Sequence, residues 1–150
     1  AASGHRLFRQ PFPIEVIEVD DLENFEIVPG VKAVATKTPH TDESLGIHLR
    51  DAAGRTFVYT SDTGFSDVVA AFARRVDLLL IECSFVRDKP IENHLELAEA
   101  MHIIRKAEPK RAVLTHLFEE WDNVDFASEV RRFEPMCEVI EAIEGLRLEI

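Results

Sequence analysis

Hydrophobic and polar positions alternate through the first third of the chain, which predicts β-strands. The alternation over residues 13–30 predicts one or two strands closed by a turn at Pro29 and Gly30, and residues 31–39 predict another strand. Two further runs rich in β-branched and aromatic residues flank the loop DAAGR. They predict a hairpin over residues 44–62, since a short loop containing glycine joins antiparallel strands.

The period changes to that of α-helices after this hairpin. Residues 65–76 and 124–133 repeat apolar side chains at helical spacing, and Ser66 or Asp67 can cap the first of these helices. Residues 95–107 predict a third amphipathic helix whose apolar face points toward the core through Leu97, Met101 and Ile104.

Short unbroken apolar runs separate these helices and predict strands that are covered on both faces. They lie at residues 78–81 and 111–115, and the last residues, 137–150, predict two strands joined near Glu144 and Gly145. Strands that alternate with helices define an α/β fold. We therefore predict one domain over residues 13–150, preceded by linker or tag residues at 1–12.

Composition narrows the possible partners of the chain. The formal net charge is -11 and the basic residues form no run, so general binding to nucleic acid through charge is not expected. Two cysteines, Cys83 and Cys137, make no disulfide framework and favour a reducing compartment such as the cytoplasm. The sequence contains no apolar run of the roughly 18 residues that span a membrane, and residues 1–12 lack the pattern of a signal peptide.

Three polar side chains follow predicted strands. His40, Asp62 and His116 come after the strands near residues 31–39, 56–60 and 111–115. Ligands gather at the carboxyl ends of strands in open α/β sheets, and two imidazoles with one carboxylate suit zinc or a similar divalent metal. The alternative is that each of these residues caps a strand end or is solvated.

Five stretches occur in the order found in the metallo-β-lactamase-fold hydrolases, and the chain resembles the ribonuclease Z-like and phosphodiesterase-like branch of that family. They are TPHTDESLGIHL, YTSDTGFSD, DLLLIECSF, NHLELAEA and AVLTHLFEEW. The resemblance implies that His40 and His116 are metal ligands and that Asp62 bridges two divalent ions, zinc or manganese. It also makes Asp62 part of the catalytic apparatus.

The same resemblance implies roles for two further residues. His94 matches the histidine that contacts the scissile phosphate and protonates the leaving oxygen, whereas the alternative is a residue without a role before a helix that Asn93 caps. Glu82 matches the glutamate of the HEAT segment, which supports the site. Ile81 replaces the histidine that precedes this glutamate, which favours a broader hydrolase branch over tRNA processing.

The signature H-x-H-x-D-H of the family is absent from this sequence. The resemblance therefore implies half of a four-layer αββα sandwich, with a mixed sheet and helices on its outer face. Each metal would have two ligands from this chain, so we expect weak metal binding and little activity from the chain alone. The missing N-terminal half, or a second copy of the chain, is the expected partner.

The resemblance predicts a function for the complete site, namely hydrolysis of a small phosphodiester or nucleotide by a metal-bound hydroxide. The alternative is a non-catalytic interaction or dimerisation domain derived from the same fold. A thioester or lactam substrate would use the same site. Three explanations account for the absent H-x-H-x-D-H signature. The chain is a fragment of a full enzyme, a subunit completed in trans or a degenerate relative.

Overall fold

Seven strands form one mixed sheet in the computed structural model, which describes residues 12–13 and 17–150. The strands lie side by side in the order in which the chain makes them. Their bounds are β1 Asn24–Val28, β2 Val31–Lys37, β3 Leu45–Arg50, β4 Thr56–Tyr59, β5 Leu78–Glu82, β6 Arg111–Thr115 and β7 Glu138–Glu141.

The direction of the strands decides which loops meet. β1 to β4 pair antiparallel, whereas β4 to β7 pair parallel. Because β2 and β4 are both antiparallel to β3, they run in the same direction as β5 and β6. The carboxyl ends of these four strands therefore share one edge of the sheet.

Three α-helices connect the parallel strands, and each begins at a side-chain cap. They are α1 Asp67–Phe72, α2 Leu97–Ala107 and α3 Phe126–Arg131, and a 3₁₀ turn, Glu119–Asn123, precedes α3. Ser66 and Asp125 accept hydrogen bonds from the first turns of α1 and α3, and Glu96 and Glu99 form a capping box on α2.

The helices pack on one face of the sheet. Strand residues Val58, Leu79 and Leu114 bury their side chains against Val69 of α1 and Met101 of α2 in one hydrophobic cluster. The alternation along each strand turns the next residues to the other face. Phe57, Tyr59 and Leu80 are half-buried on that second face, which we call the open face.

The α/β class, the mixed sheet and the order of elements are confirmed, with shorter helices than predicted. α1 covers residues 67–72 instead of 65–76, because Ser66 caps its start and Phe65 and Val68 are exposed. Within the range 13–30, for which one or two strands were predicted, the structure has the strand β1 at Asn24–Val28. Ile14, Glu15 and Val16 lie outside the described residues.

The predicted C-terminal hairpin is wrong. β7 forms and pairs with β6, but residues 142–150 form no strand. Arg111 and Arg55 donate side-chain hydrogen bonds to the carbonyl oxygens of Glu149 and Ile150. The last residues are therefore bound by arginine side chains at the amino ends of the strands instead of by a neighbouring strand.

None of the helices in the described part of the chain has the length and apolarity of a membrane span.

Candidate metal centre

The loops after three strands bring His40, Asp62 and His116 together at one edge of the sheet. Oδ2 of Asp62 lies 3.9 Å from Nε2 of His40 and 3.6 Å from Nε2 of His116. One carboxylate oxygen therefore lies within 4 Å of a ring nitrogen of each imidazole. This arrangement suits a carboxylate that contacts two cations.

His94 completes the cluster from the loop between β5 and α2. The ligand atoms offered by His40, Asp62 and His94 all lie within 4.8 Å of one another. The ring of His94 lies between those of His40 and His116, at centroid distances of 4.7 and 5.3 Å. Two imidazoles and one carboxylate are a donor set that fits zinc and related divalent ions.

The backbone around the site turns the ligand atoms toward one another. Nδ1 of His40 lies 2.9 Å from the carbonyl oxygen of Asn93 and donates to it, which leaves Nε2 directed at Asp62. The hydroxyl of buried Thr38 donates to the carbonyl oxygen of Asp62 at 3.0 Å. Ser61 and His116 have φ angles of 54° and 58°, a left-handed conformation that non-glycine residues adopt rarely.

Glu82 is fully buried beneath the site and accepts several hydrogen bonds. Its Oε1 lies 2.8 Å from Nδ1 of His94 and accepts from the amide of Thr63. Its Oε2 accepts from the hydroxyl and amide of Ser84 and from the amide of Leu95. A buried carboxylate requires such partners, and here they hold Nδ1–H of His94 so that Nε2 points into the site.

Gly64 allows three loops to meet behind the ligands. A Cβ atom at this position would lie 2.4 Å from the carbonyl oxygen of Glu92 and 3.0 Å from that of Pro39. These residues belong to the loops that carry His94 and His40, and Gly64 follows Asp62. The absence of a side chain at position 64 therefore permits the close approach that brings the ligands together.

The aromatic rings of Phe118 and Phe85 lie beside the site, near the end of β6. The ring of Phe118 lies 5.1 Å from that of His116, 5.7 Å from that of His94 and 5.0 Å from that of Phe85. Trp121, three residues after Phe118, is buried and donates from Nε1 to the carbonyl oxygen of Cys83. Its role is packing.

The charges at this edge are mostly negative, and a neighbouring tyrosine responds to them. Burial raises the pKa of Tyr59, and the nearby carboxylates of Asp62 and Glu82 raise it further. The same negative field attracts a cation to the space between the histidines.

Sequence reasoning missed the residues that orient the site. Ser84, Thr63 and Thr38 are buried and hydrogen-bonded to Glu82 or to the backbone of Asp62. The sequence offered one indication for Ser84 and Thr63. Each is a short polar residue within two positions of a candidate site residue, Glu82 in the stretch ECS and Asp62 in the stretch SDT. Asn93 is not the helix cap, because α2 is capped by Glu96.

The class of fold is that of the metallo-β-lactamases, as comparison with known proteins shows. The model of the beta-lactamase superfamily domain matches residues 1–117, which is more than half of the chain. The chain therefore belongs to the beta-lactamase superfamily.

Two relatives and two solved structures illustrate this membership. An uncharacterised protein of Mycobacterium leprae is 33% identical over 94 residues, which are 61% of this chain and 33% of that protein. Ribonuclease Z of Salinispora arenicola is 34% identical over 83 residues, which are 52% of this chain and 27% of that enzyme.

The solved structures share the fold at lower identity. The metallo-beta-lactamase fold protein YhfI of Bacillus subtilis superposes with a TM-score of 0.73 at 24% identity, over 87% of this chain and 54% of YhfI. Zn²⁺-bound PqqB of Methylobacterium extorquens gives a TM-score of 0.70 at 16% identity, over 88% of this chain and 51% of PqqB. The chain thus spans about half the length of these structures, and its matches cover about a third of the curated relatives.

Proposed function

We propose that this chain supplies one half of the binuclear metal site of a hydrolase that cleaves phosphodiester bonds. The observation that carries the proposal is the convergence of His40, Asp62, His94 and His116 at one sheet edge. The buried Glu82 beneath them orients His94. Side chains with these chemistries, held in one place, are what metal-assisted hydrolysis requires.

Each ion would take part of its ligands from this chain. His40 and Asp62 would hold one ion, and His116 and Asp62 would hold the other, which leaves Nε2 of His94 free to carry a proton. Zinc or manganese bound there would lower the pKa of a coordinated water and polarise a phosphoryl oxygen. Two protein ligands for each ion are fewer than a closed zinc site has, so the remaining ligands would come from a matching N-terminal half of the fold or from a second copy of the chain.

His94 is the proposed general acid. Its Nδ1–H is held by the buried carboxylate of Glu82 at 2.8 Å, which stabilises the imidazolium and directs Nε2 into the site. The proton on Nε2 would pass to the leaving oxygen as the phosphorus–oxygen bond breaks. Glu82 orients the ring through this hydrogen bond.

The proposed substrate is a small phosphodiester or nucleotide. A phosphodiester is supported by the similarity to ribonuclease Z, whose name describes cleavage of RNA. A small substrate is supported by the net charge of -11, because a long nucleic acid requires a basic surface along its backbone.

Metal content measured by elemental analysis tests the site. We expect the chain, after equilibration with excess zinc or manganese, to bind these ions weakly, and the His40→Ala and Asp62→Ala variants to bind less. His102→Ala is the matched control, since His102 is an exposed histidine on α2. Equal metal content in all four proteins would contradict the proposed ligands, and absence of metal from the wild-type chain would show that it builds no site alone.

Hydrolysis of bis(p-nitrophenyl) phosphate by the chain together with the polypeptide that completes it tests the chemistry. His94→Ala should lower kcat by about 10²- to 10⁴-fold, the usual contribution of a general acid. Full turnover in this variant would contradict the general-acid role.

A second candidate, a non-catalytic interaction domain, is favoured by the open face. Phe57, Tyr59 and Leu80 leave part of their apolar surface exposed there, and such a surface promotes association with a partner. Light scattering after size-exclusion chromatography at several concentrations separates the candidates. A tight dimer that forms without metal supports the interaction domain, whereas dependence on metal supports the hydrolase.

A further inference from the structure

We propose that Lys89 is a positioning residue for His94, holding the backbone of the loop between β5 and α2 so that the imidazole reaches the metal centre. The proposal extends the proposed function and rests on it for the consequence in metal binding. The position of His94 itself is independent of that function and is tested separately below.

The side chain of Lys89 is largely shielded from solvent, and its ammonium group lies close to three acceptor groups. Its side chain is 9% exposed, and Nζ lies 2.8 Å from Oε1 of Glu99 and 3.2 Å from Oε2 of Glu92. Nζ also donates to the carbonyl oxygen of His94 at 3.3 Å. A lysine is seldom so buried unless its charge is paired, and the pairing here includes the backbone of a site residue.

These contacts join the loop to the helix that follows it. Glu99 belongs to the first turn of α2, where its side chain also accepts from the amide of Glu96 in the capping box. Lys89 therefore connects α2, the exposed carboxylate of Glu92 and the carbonyl group of His94. Burial alone would lower the pKa of Lys89, but hydrogen bonds to Glu99 and Glu92 outweigh it and raise the pKa.

Lys89 and Glu82 hold His94 at two different points. Glu82 binds Nδ1 of the ring, whereas Lys89 binds the main-chain oxygen of the same residue. A ring bound at one point can still pivot when its backbone moves. Both contacts are needed to hold the imidazole at the site, because the groups of a catalytic site must be held to within about half an ångström.

Two variants of Lys89 separate its contacts. Lys89→Met keeps the aliphatic stem and removes every side-chain donor, whereas Lys89→Gln keeps an NH2 group with two donors and removes the charge. Lys106→Met is the matched control, because Lys106 also lies 2.7 Å from a carboxylate, that of Asp67, but is half exposed and belongs to the last turn of α2.

Proton NMR of the chain labelled with ¹⁵N-histidine measures the position of His94 without any metal. The Nδ1–H proton bound to Glu82 gives a low-field resonance, which Glu82→Gln removes and thereby assigns. We expect this proton to exchange with water about ten-fold faster or more in Lys89→Met, and at the wild-type rate in Lys106→Met. Wild-type exchange in folded Lys89→Met would overturn the proposal. If Lys89→Met does not fold, the exchange rate of the Nδ1–H proton is measured in Lys89→Gln instead, and a wild-type rate there would overturn the proposal.

Zinc titration by calorimetry measures the consequence for metal binding. The backbone that Lys89 holds also carries the carbonyl oxygen of Asn93, which accepts from Nδ1 of the ligand His40. Residues that orient metal ligands typically change affinity by about 10- to 100-fold, and we expect a loss in that range for Lys89→Met. Unchanged affinity together with faster Nδ1–H exchange would overturn the link to the metal centre. If the wild-type chain binds no zinc, the proposed metal site of the isolated chain fails, while the NMR result still decides whether Lys89 positions His94.

Discussion

Nδ1 of His94 and Oε1 of Glu82 lie 2.8 Å apart, and this contact joins the buried carboxylate to the candidate metal centre. The side chain of Glu82 is 1% exposed and that of His94 is 9% exposed. Water cannot replace the hydrogen bond readily at such depth. The pair therefore determines both the orientation of the imidazole and part of the stability of the fold.

Glu82→Gln is expected to weaken both properties. The amide group of glutamine would present a donor to amides and hydroxyls that also donate, so at least one buried group would lose its partner, at a cost of about 1–3 kcal/mol. Urea unfolding followed by the fluorescence of buried Trp121 measures the loss. Glu144→Gln, a change at an exposed carboxylate, should leave the unfolding midpoint where it is. Equal midpoints for the two variants would contradict the role of Glu82.

Gly64→Ala should disturb the site more than an alanine at another glycine. The new Cβ atom would lie 2.4 Å from the carbonyl oxygen of Glu92, a backbone atom that cannot turn away. Overpacking of this kind costs about 1–3 kcal/mol. Gly46→Ala is the control, since its nearest contacts are at 3.3 Å.

Thermal unfolding and retained metal are the measurements for this pair of variants. We expect Gly64→Ala to unfold at a lower temperature than Gly46→Ala and to retain less metal. A smaller effect at position 64 than at position 46 would show that the three loops are free to move apart.

Asp77 should make the stability of the chain depend on pH in the acid range. The ammonium of Lys110 and the amide and hydroxyl of Thr56 lower the pKa of Asp77 to about 2 from the ordinary 3.8. Because the folded state favours the ionised carboxylate, Asp77 stabilises the fold above about pH 4. This contribution is lost as the pH falls from about 4 to about 2.

Asp77→Asn tests this dependence. The variant should have a lower free energy of unfolding at pH 7, by about 1–2 kcal/mol, because a charge-assisted contact is lost. The difference from the wild-type chain should shrink as the pH approaches 2. A constant difference between pH 7 and pH 2 would contradict the lowered pKa.

The two cysteines should react at different rates. Cys83 is fully buried, and this burial, together with the nearby carboxylate of Glu82, raises the pKa of its thiol well above the ordinary value. Cys137 is half-buried, and its pKa is raised chiefly by burial. Because the thiolate is the reactive form, Cys83 should resist Ellman's reagent in the folded chain while Cys137 reacts slowly.

Denaturation should remove the difference between the thiols. In urea both should react at the rate of a free cysteine, and Cys137→Ser should leave the folded chain without a reactive thiol. Rapid reaction of Cys83 in folded Cys137→Ser would show that the core around β5 opens frequently.

The sequence by itself determined the elements and the positions of the strand-end residues. Apolar alternation located β2, β3 and β4, and unbroken apolar runs located β5 and β6, because these patterns report burial on one face or on both. The same patterns placed His40, Asp62 and His116 at strand ends. The final residues escaped this reasoning, since their hydrophobic alternation is that of a strand but Arg55 and Arg111 bind their carbonyl oxygens.

Only the tertiary structure decided how the strand-end residues meet. His40 and His116 are far apart along the chain and reach one oxygen of Asp62 because β2, β4 and β6 run in the same direction. The distances that orient the centre depend on contacts between loops, such as those made by Gly64, Lys89 and Glu82. Such contacts join residues without periodic spacing, so hydrophobic patterns carry no information about them.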